Sequence, residues 1–126
     1  VTRRAESLLD SFRYASAGLR YFFTTQRNAR VQASVGGVAL LLGGVLRISR
    51  TEWAILVLLI ALVLVLEALN SAIEATVDLV TSEYHPLAEI AKDVAAGAVW
   101  LLALASVIIG AIIFLPRLLA LVMEGR

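Results

Sequence analysis

Glu67, Asn70, Ser71, Glu74 and Asp78 follow one another at i, i+3, i+4, i+7 and i+11. On an α-helix that spacing places all five along one stripe, because eleven residues complete almost three turns. Three carboxylates and a carboxamide in a row offer hard oxygen ligands of the kind Mg2+ takes. They also offer a base for a proton. The stripe comes directly after fourteen uncharged residues, WAILVLLIALVLVL (53–66). Charge beside hydrocarbon is costly and is usually kept for function. The alternative is an ordinary helix end emerging into water, with the acids as its solvated face. Against it, the opposite face stays apolar through Val77, and the chain supplies no matching row of cations.

The next stretch is TSEYHPLAEIAKD (81–93). Pro86 ends one helix and allows another to start. His85 is the single histidine, and with no cysteine in the chain it has no partner for a zinc site. Lys92 and Asp93 stand at the mouth of the following apolar run. A lysine there either anchors a helix at the headgroups or neutralises a phosphate held beside the carboxylates.

The elements that must position these residues are membrane helices. The chain has 126 residues, is 60% hydrophobic and has a mean hydropathy of +0.89, so a soluble globule of this size could not hide its apolar side chains. A net charge of +1 gives no indication of a nucleic-acid partner. The absence of cysteine excludes disulfides, thiolate metal sites and a cysteine nucleophile. No cleavable signal is expected, since the first thirty residues carry six arginines and no continuous apolar core.

Three uncharged runs, 31–46, 53–66 and 94–116, predict three transmembrane helices over 31–48, 53–80 and 90–116. The second reaches spanning length only if its helix continues through the polar stripe, which puts the acids near one membrane surface. Ahead of them, residues 3–25 place Leu8, Phe12, Ala15, Leu19 and Phe22 on one helical face and Arg13, Arg20 and Arg27 on another. That is the pattern of a helix lying in the membrane interface. A solvated helix packed on its own protein is the alternative. Six of the eleven basic residues lie in 1–30, which predicts a cytoplasmic N-terminus and places 81–93 on the same side. Gly36 with Gly43, and Gly37 with Gly44, repeat at seven residues, as do Ala91, Ala98 and Ala105. Small residues on one face let helices approach closely in lipid.

The whole stretch EALNSAIEATVDLVTSEYHPLAEIAKDVAAGAV (67–99) closely resembles the prokaryotic diacylglycerol kinase family, which includes the undecaprenol kinases. The likeness runs without obvious gaps from about Tyr14 to Pro116. It implies an all-α homotrimer in the bacterial inner (cytoplasmic) membrane. Each subunit would have an amphipathic surface helix and three transmembrane helices in a single domain over 1–126, with active sites shared between subunits at the cytoplasmic surface. It implies transfer of the γ-phosphate of MgATP to the hydroxyl of a membrane lipid alcohol, the bilayer itself holding that substrate. Carried over by position, Glu67 falls where the family has its general base, and Glu74 where it has a metal ligand that also meets the nucleotide. Tyr14, Glu83, Tyr84, His85, Lys92 and Asp93 fall where it contacts ATP, and Asn70 and Asp78 match polar positions of the site.

One position departs from the pattern. TTQRNARVQ (24–32) carries Gln26 where the family has a second metal-binding and nucleotide-facing glutamate. A glutamine lends a carbonyl oxygen without charge, so Mg2+ is expected to be held more weakly. The ATP phosphates with Glu74 would then have to suffice, or Glu6 or Asp10 would have to contribute. The stretches EYHPLAEIAKDVAAGAVWL (83–101) and FLPRL (114–118) look more like the undecaprenol branch than the diacylglycerol branch. A diacylglycerol kinase is the alternative. The rival classes are a non-enzymatic accessory membrane subunit and a small proton-coupled transporter built on Glu67. The transporter calls for a mid-membrane carboxylate within an internal repeat, whereas here the acids gather at one end.

Overall fold

A computed structural model describes residues 7–125, and four helices follow in order: α1 Leu8–Thr25, α2 Arg27–Val45, α3 Arg50–Val80 and α4 Pro86–Glu124. Residues 3–6, where the surface helix was expected to begin, lie outside the described residues, and Glu6 with them.

Helix α1 starts on Ser7, whose hydroxyl accepts from the Asp10 backbone N–H at 3.2 Å and so satisfies one of the free amides of the first turn. Of its apolar face, Phe22 is buried, while Leu8, Phe12 and Leu19 stay exposed, Phe12 at 72%. That face is therefore not packed on this chain's own described residues. A single residue, Gln26, separates α1 from α2. Its backbone turns to φ −90°, ψ 113°, and its side chain makes no capping bond to α2. The break is held by Arg30, whose guanidinium donates to the carbonyls of Phe23 and Thr24 at 3.1 and 2.9 Å. Those carbonyls belong to the last turn of α1, where no intrahelical donor remains for them.

Helix α2 lies against α3 through glycine. A methyl group built at Gly36 would come within 2.9 Å of Ile60 Cγ2, and one at Gly43 within 3.0 Å of Ile48 Cδ1 and 3.3 Å of Trp53. Gly37 and Gly44 have the same spacing but face open space. The turn after α2 passes through Arg47, at φ 51° in the left-handed region. Ser49 then opens α3 in a reciprocal cap: its backbone N–H donates to Glu52 Oε2 at 2.7 Å, and the Glu52 N–H donates to Ser49 Oγ at 3.3 Å.

Helix α4 begins with Pro86 in its first turn, where a missing N–H costs nothing. It was expected to end at 116 but runs through Pro116 to Glu124. A proline inside a helix removes one backbone bond and crowds the preceding turn. Here the Arg117 guanidinium donates to the Ile113 carbonyl at 2.9 Å, in the turn ahead of the proline. At 31 and 39 residues, α3 and α4 are about 46 and 58 Å long. Among the described residues these two are long and apolar enough to cross a membrane, and both exceed its hydrocarbon thickness. Helix α2 has 19 residues and opens with Arg27, Asn28 and Arg30, which dilute its apolar character.

Helix α3 is central, with α2 and α4 packed against it and α1 packed on α2. The core is small and lies toward the Arg50 end of α3: Ile48, Leu56 and Ile113, with Trp53, Ile60, Ile109 and Phe114 around them. Large apolar side chains elsewhere, such as Leu58, Leu101, Val107 and Ile112, face outward, as lipid-facing side chains do.

Candidate functional site

The buried face of α3 runs through Leu56 and Leu59, and the polar stripe continues that same face. Glu67 is 3% exposed and Asn70 9% exposed. These two are therefore not the solvated face of a helix end. Further along, Glu74 is half-buried and Asp78 is exposed. The stripe thus passes from interior to surface over about 16 Å of helix. Asn70 Nδ2 makes a long contact of 3.5 Å with Glu74 Oε1, while Asn70 Oδ1 is buried without a hydrogen-bond partner. A buried acceptor left unpaired costs free energy, and such atoms collect at sites that await a ligand or water. The Ser71 hydroxyl bonds back to the Glu67 carbonyl at 3.0 Å, so Ser71 serves the helix rather than the stripe.

At the surface end of the stripe the chain folds back. Lys92 on α4 meets Asp78 on α3 with Nζ to Oδ1 at 2.5 Å. Between them the 81–85 turn is braced by Thr81, whose hydroxyl donates to the Glu83 carbonyl at 3.1 Å and accepts from the Glu83 N–H at 3.2 Å. His85 caps α4: its Nδ1 accepts from the Leu87 N–H at 3.2 Å. The Tyr84 hydroxyl donates to Glu89 Oε2 at 2.8 Å, and that bond raises the phenol above its ordinary pKa.

Asp78, Glu83, Tyr84, His85 and Lys92 line one open cleft of about 530 Å³, with Glu89 on its wall. Glu67, Asn70 and Glu74 lie back along the stripe and do not line it. Asp93 is exposed, and as the neighbour of Lys92 it points to another side of α4. Tyr14 is half-exposed on α1, and Gln26 is half-buried at the α1–α2 junction; neither lines the cleft. Asp10 is engaged at the start of α1, where it accepts from the Ser7 hydroxyl at 3.0 Å.

Glu89 was not legible as part of the site. Its five-residue separation from Tyr84 straddles a turn and a helix start, so no periodicity joins the two. The pair Glu52–Arg117, with Nη2 to Oε2 at 2.7 Å, was likewise invisible until α3 and α4 were seen antiparallel. The Ser-x-x-Glu spacing at 49–52 is a signal that could have marked Glu52 as a capping residue.

Residues 13–114 match the family model described as prokaryotic diacylglycerol kinase. The chain belongs to the prokaryotic diacylglycerol kinase family. It is similar to a diacylglycerol kinase of Synechocystis sp., 48% identical over 118 residues that make up 93% of this chain and 67% of that protein. It is also similar to an undecaprenol kinase of Bacillus subtilis, 47% identical over 108 residues, 86% of this chain and 88% of that one. A diacylglycerol kinase of Escherichia coli is 37% identical over 99 residues, 75% of this chain and 78% of that protein. The chain is accordingly a membrane lipid kinase that uses ATP.

A kinase of this family implies a divalent cation with the nucleotide. Among the described residues no three of His, Cys, Asp and Glu converge on one point as a ready-made cage. Mg2+ in phosphoryl-transfer sites needs none, being held by one or two carboxylates together with the substrate's phosphates and water. The half-buried Glu74 carboxylate and the unpartnered Asn70 Oδ1 beside it supply oxygen donors of that kind. The donor set fits.

Proposed function

We propose that this lipid kinase transfers the γ-phosphate of ATP to the hydroxyl of a membrane lipid alcohol where the α3 stripe leaves the bilayer, with undecaprenol preferred to diacylglycerol. The observation that carries the reading is the gradient along α3, from buried Glu67 to the exposed Asp78–Lys92 cleft. A lipid alcohol cannot leave the membrane and ATP cannot enter it, so the two must meet on such a gradient. Glu67 accepts the proton of the lipid hydroxyl as its oxygen attacks the γ-phosphorus. The bond to the β–γ bridging oxygen breaks, and ADP departs with the electron pair. Lys92 exchanges Asp78 for phosphate oxygens, while Glu83, Tyr84 and His85 orient the nucleotide from the turn. Phosphoryl transfer asks for this positioning and charge neutralisation more than for covalent chemistry. Glu74, with the carbonyl oxygen of Gln26 and the nucleotide's phosphates, would hold Mg2+, which supplies neutralisation of the phosphate charge.

Tyr14, Gln26 and Asp93 stand apart from the cleft within one chain, which supports a site completed between subunits of a homotrimer. The open face of Gly37 and Gly44 leaves room for a neighbouring helix. In that assembly α2 makes the third crossing, α1 lies in the interface on its uncovered Leu8, Phe12 and Leu19, and the N-terminus is on the cytoplasmic side of the inner membrane. The preference for undecaprenol rests on the wording of 83–101 and 114–118, since the relatives include kinases named for either lipid.

The test offers undecaprenol and diacylglycerol separately to purified protein in mixed micelles with labelled ATP and Mg2+. Label passing mainly to undecaprenol is the expected result. Label mainly on diacylglycerol would reverse the preference, and label on neither would remove the kinase mechanism drawn here.

A further inference from the structure

Tyr84 is 78% exposed, and the bond from its hydroxyl to Glu89 at 2.8 Å is its tether. Its ring is placed by that bond rather than by packing. Glu89 is fixed in turn: its backbone N–H donates to the His85 carbonyl at 3.1 Å, inside the turn that His85 caps. Both side chains line the cleft, as do Asp78 and Lys92. An acid in the first turn of a helix has an ordinary use in offsetting the helix dipole, but that use requires no partner side chain. A bond directed at an exposed aromatic ring on the wall of a cleft does more. It selects one arrangement of a side chain that would otherwise sample several, so a ligand meeting the ring loses less freedom on binding.

We propose that Glu89 is a positioning residue for the nucleotide: by accepting the Tyr84 hydrogen bond it holds the ring as a preset wall of the Asp78–Lys92 cleft, against which the nucleotide base stacks. The inference rests on reading that cleft as the ATP site. Bases of any sequence stack on aromatic faces, so a fixed tyrosine improves affinity without contributing to the chemical step. Glu89 acts through Tyr84 and does not touch the reacting atoms.

The experiment compares KM for ATP and kcat in the full-length kinase for Glu89→Ala, Glu89→Gln, Tyr84→Phe, Tyr84→Ala and the double variant Glu89→Ala/Tyr84→Phe. Glu89→Ala and Tyr84→Phe should each raise KM for ATP roughly fivefold with kcat within about twofold. The double variant should be no worse than either single change, since both remove one bond. Glu89→Gln keeps an acceptor and should recover most of the affinity. Without nucleotide, the fluorine resonance of fluorotyrosine at position 84 should sharpen in Glu89→Ala as the ring is freed. An unchanged KM in Glu89→Ala, or an additive double variant, overturns the positioning role. If Tyr84→Ala still raises KM in that case, the cleft remains the ATP site; if Tyr84→Ala also leaves KM unchanged, both readings fall.

Discussion

Glu52–Arg117 and Asp78–Lys92 each join an acid on α3 to a base on α4, at opposite ends of the same helix pair. They differ in almost everything else. Arg117 reaches both Glu52 oxygens, at 2.8 and 2.7 Å, with side chains 31% and 23% exposed. The Glu52 carboxylate also caps α3 through the Ser49 N–H, and Ile113, one turn from Arg117, belongs to the core with Ile48 and Leu56. Lys92 makes a single contact to Asp78, whose side chain is 65% exposed, beside a turn rather than a core. A forked, partly desolvated pair resists exchange, whereas a single exposed contact is weak and easily replaced. One end is built to stay, and the other to give up its partner to a phosphate.

The sharpest way to separate the fixed end from the stripe that leads to the open end is to neutralise one acid on each. Glu67→Gln keeps the shape of a buried side chain and removes its capacity to take a proton. Turnover should fall by about 10²–10⁴-fold while ATP binding persists. Glu52→Gln should leave turnover near the original value and lower thermal stability. Kinetics and thermal unfolding of the two variants in one detergent decide the matter; retained turnover in Glu67→Gln would sink its role as base.

Next in size is Glu74→Ala, which removes the half-buried carboxylate beside the unpartnered Asn70 oxygen. Mg2+-dependent nucleotide binding should be lost, as read by titrating Mg2+ against nucleotide binding. An unchanged titration would place the cation elsewhere than on the stripe.

A smaller effect, of the opposite kind, belongs to Arg117. Arg117→Ala leaves Glu52 without its cation and the Ile113 carbonyl without its added donor. Removing one partner of a partly buried pair costs more than the pair itself contributes. The unfolding temperature should drop by several degrees while turnover per folded molecule holds. A loss of turnover with unchanged stability would mean that the far end communicates with the site.

The two ends also differ in how far the chain alone revealed them. The stripe from Glu67 to Asp78 was legible because helical periodicity is a local property, and so was the amphipathic face of α1. The cleft was half legible: Glu83, Tyr84, His85 and Lys92 sit on a short segment whose folding-back is signalled by Pro86. Glu89 escaped because hydrogen bonding across a turn has no periodic signature. Glycine spacing predicted close approach but not which pair would use it, since Gly36/Gly43 and Gly37/Gly44 have identical spacing and only the first meets α3. The 90–116 span ended with the apolar run, and the helix continues past it to Glu124, where Arg117 pairs with a Glu52 that cannot be seen from residues 114–118. Tertiary partners decided each of these.

The smallest expected change concerns Gln26, the one residue between α1 and α2. It lies where α1 gives way to α2, half-buried, with a side chain that caps neither helix. Replacing its carboxamide by a carboxylate of the same size should therefore leave the junction intact, held as it is by Arg30. The added charge would then be available to a bound cation. Because ATP phosphates and water supply most ligands of a nucleotide-bound Mg2+, one more carboxylate should shift the Mg2+ concentration for half-maximal rate downward only several-fold, with little change in the saturated rate. Measuring rate against Mg2+ at fixed ATP for Gln26→Glu tests this directly. A downward shift would tie the α1–α2 junction to the same cation as Glu74, although one chain leaves Gln26 outside the cleft. An unchanged curve would show that Glu74, Asn70 and the phosphates complete the shell without it, and that the open end of α3 and α4 does its work with the residues it already brings together.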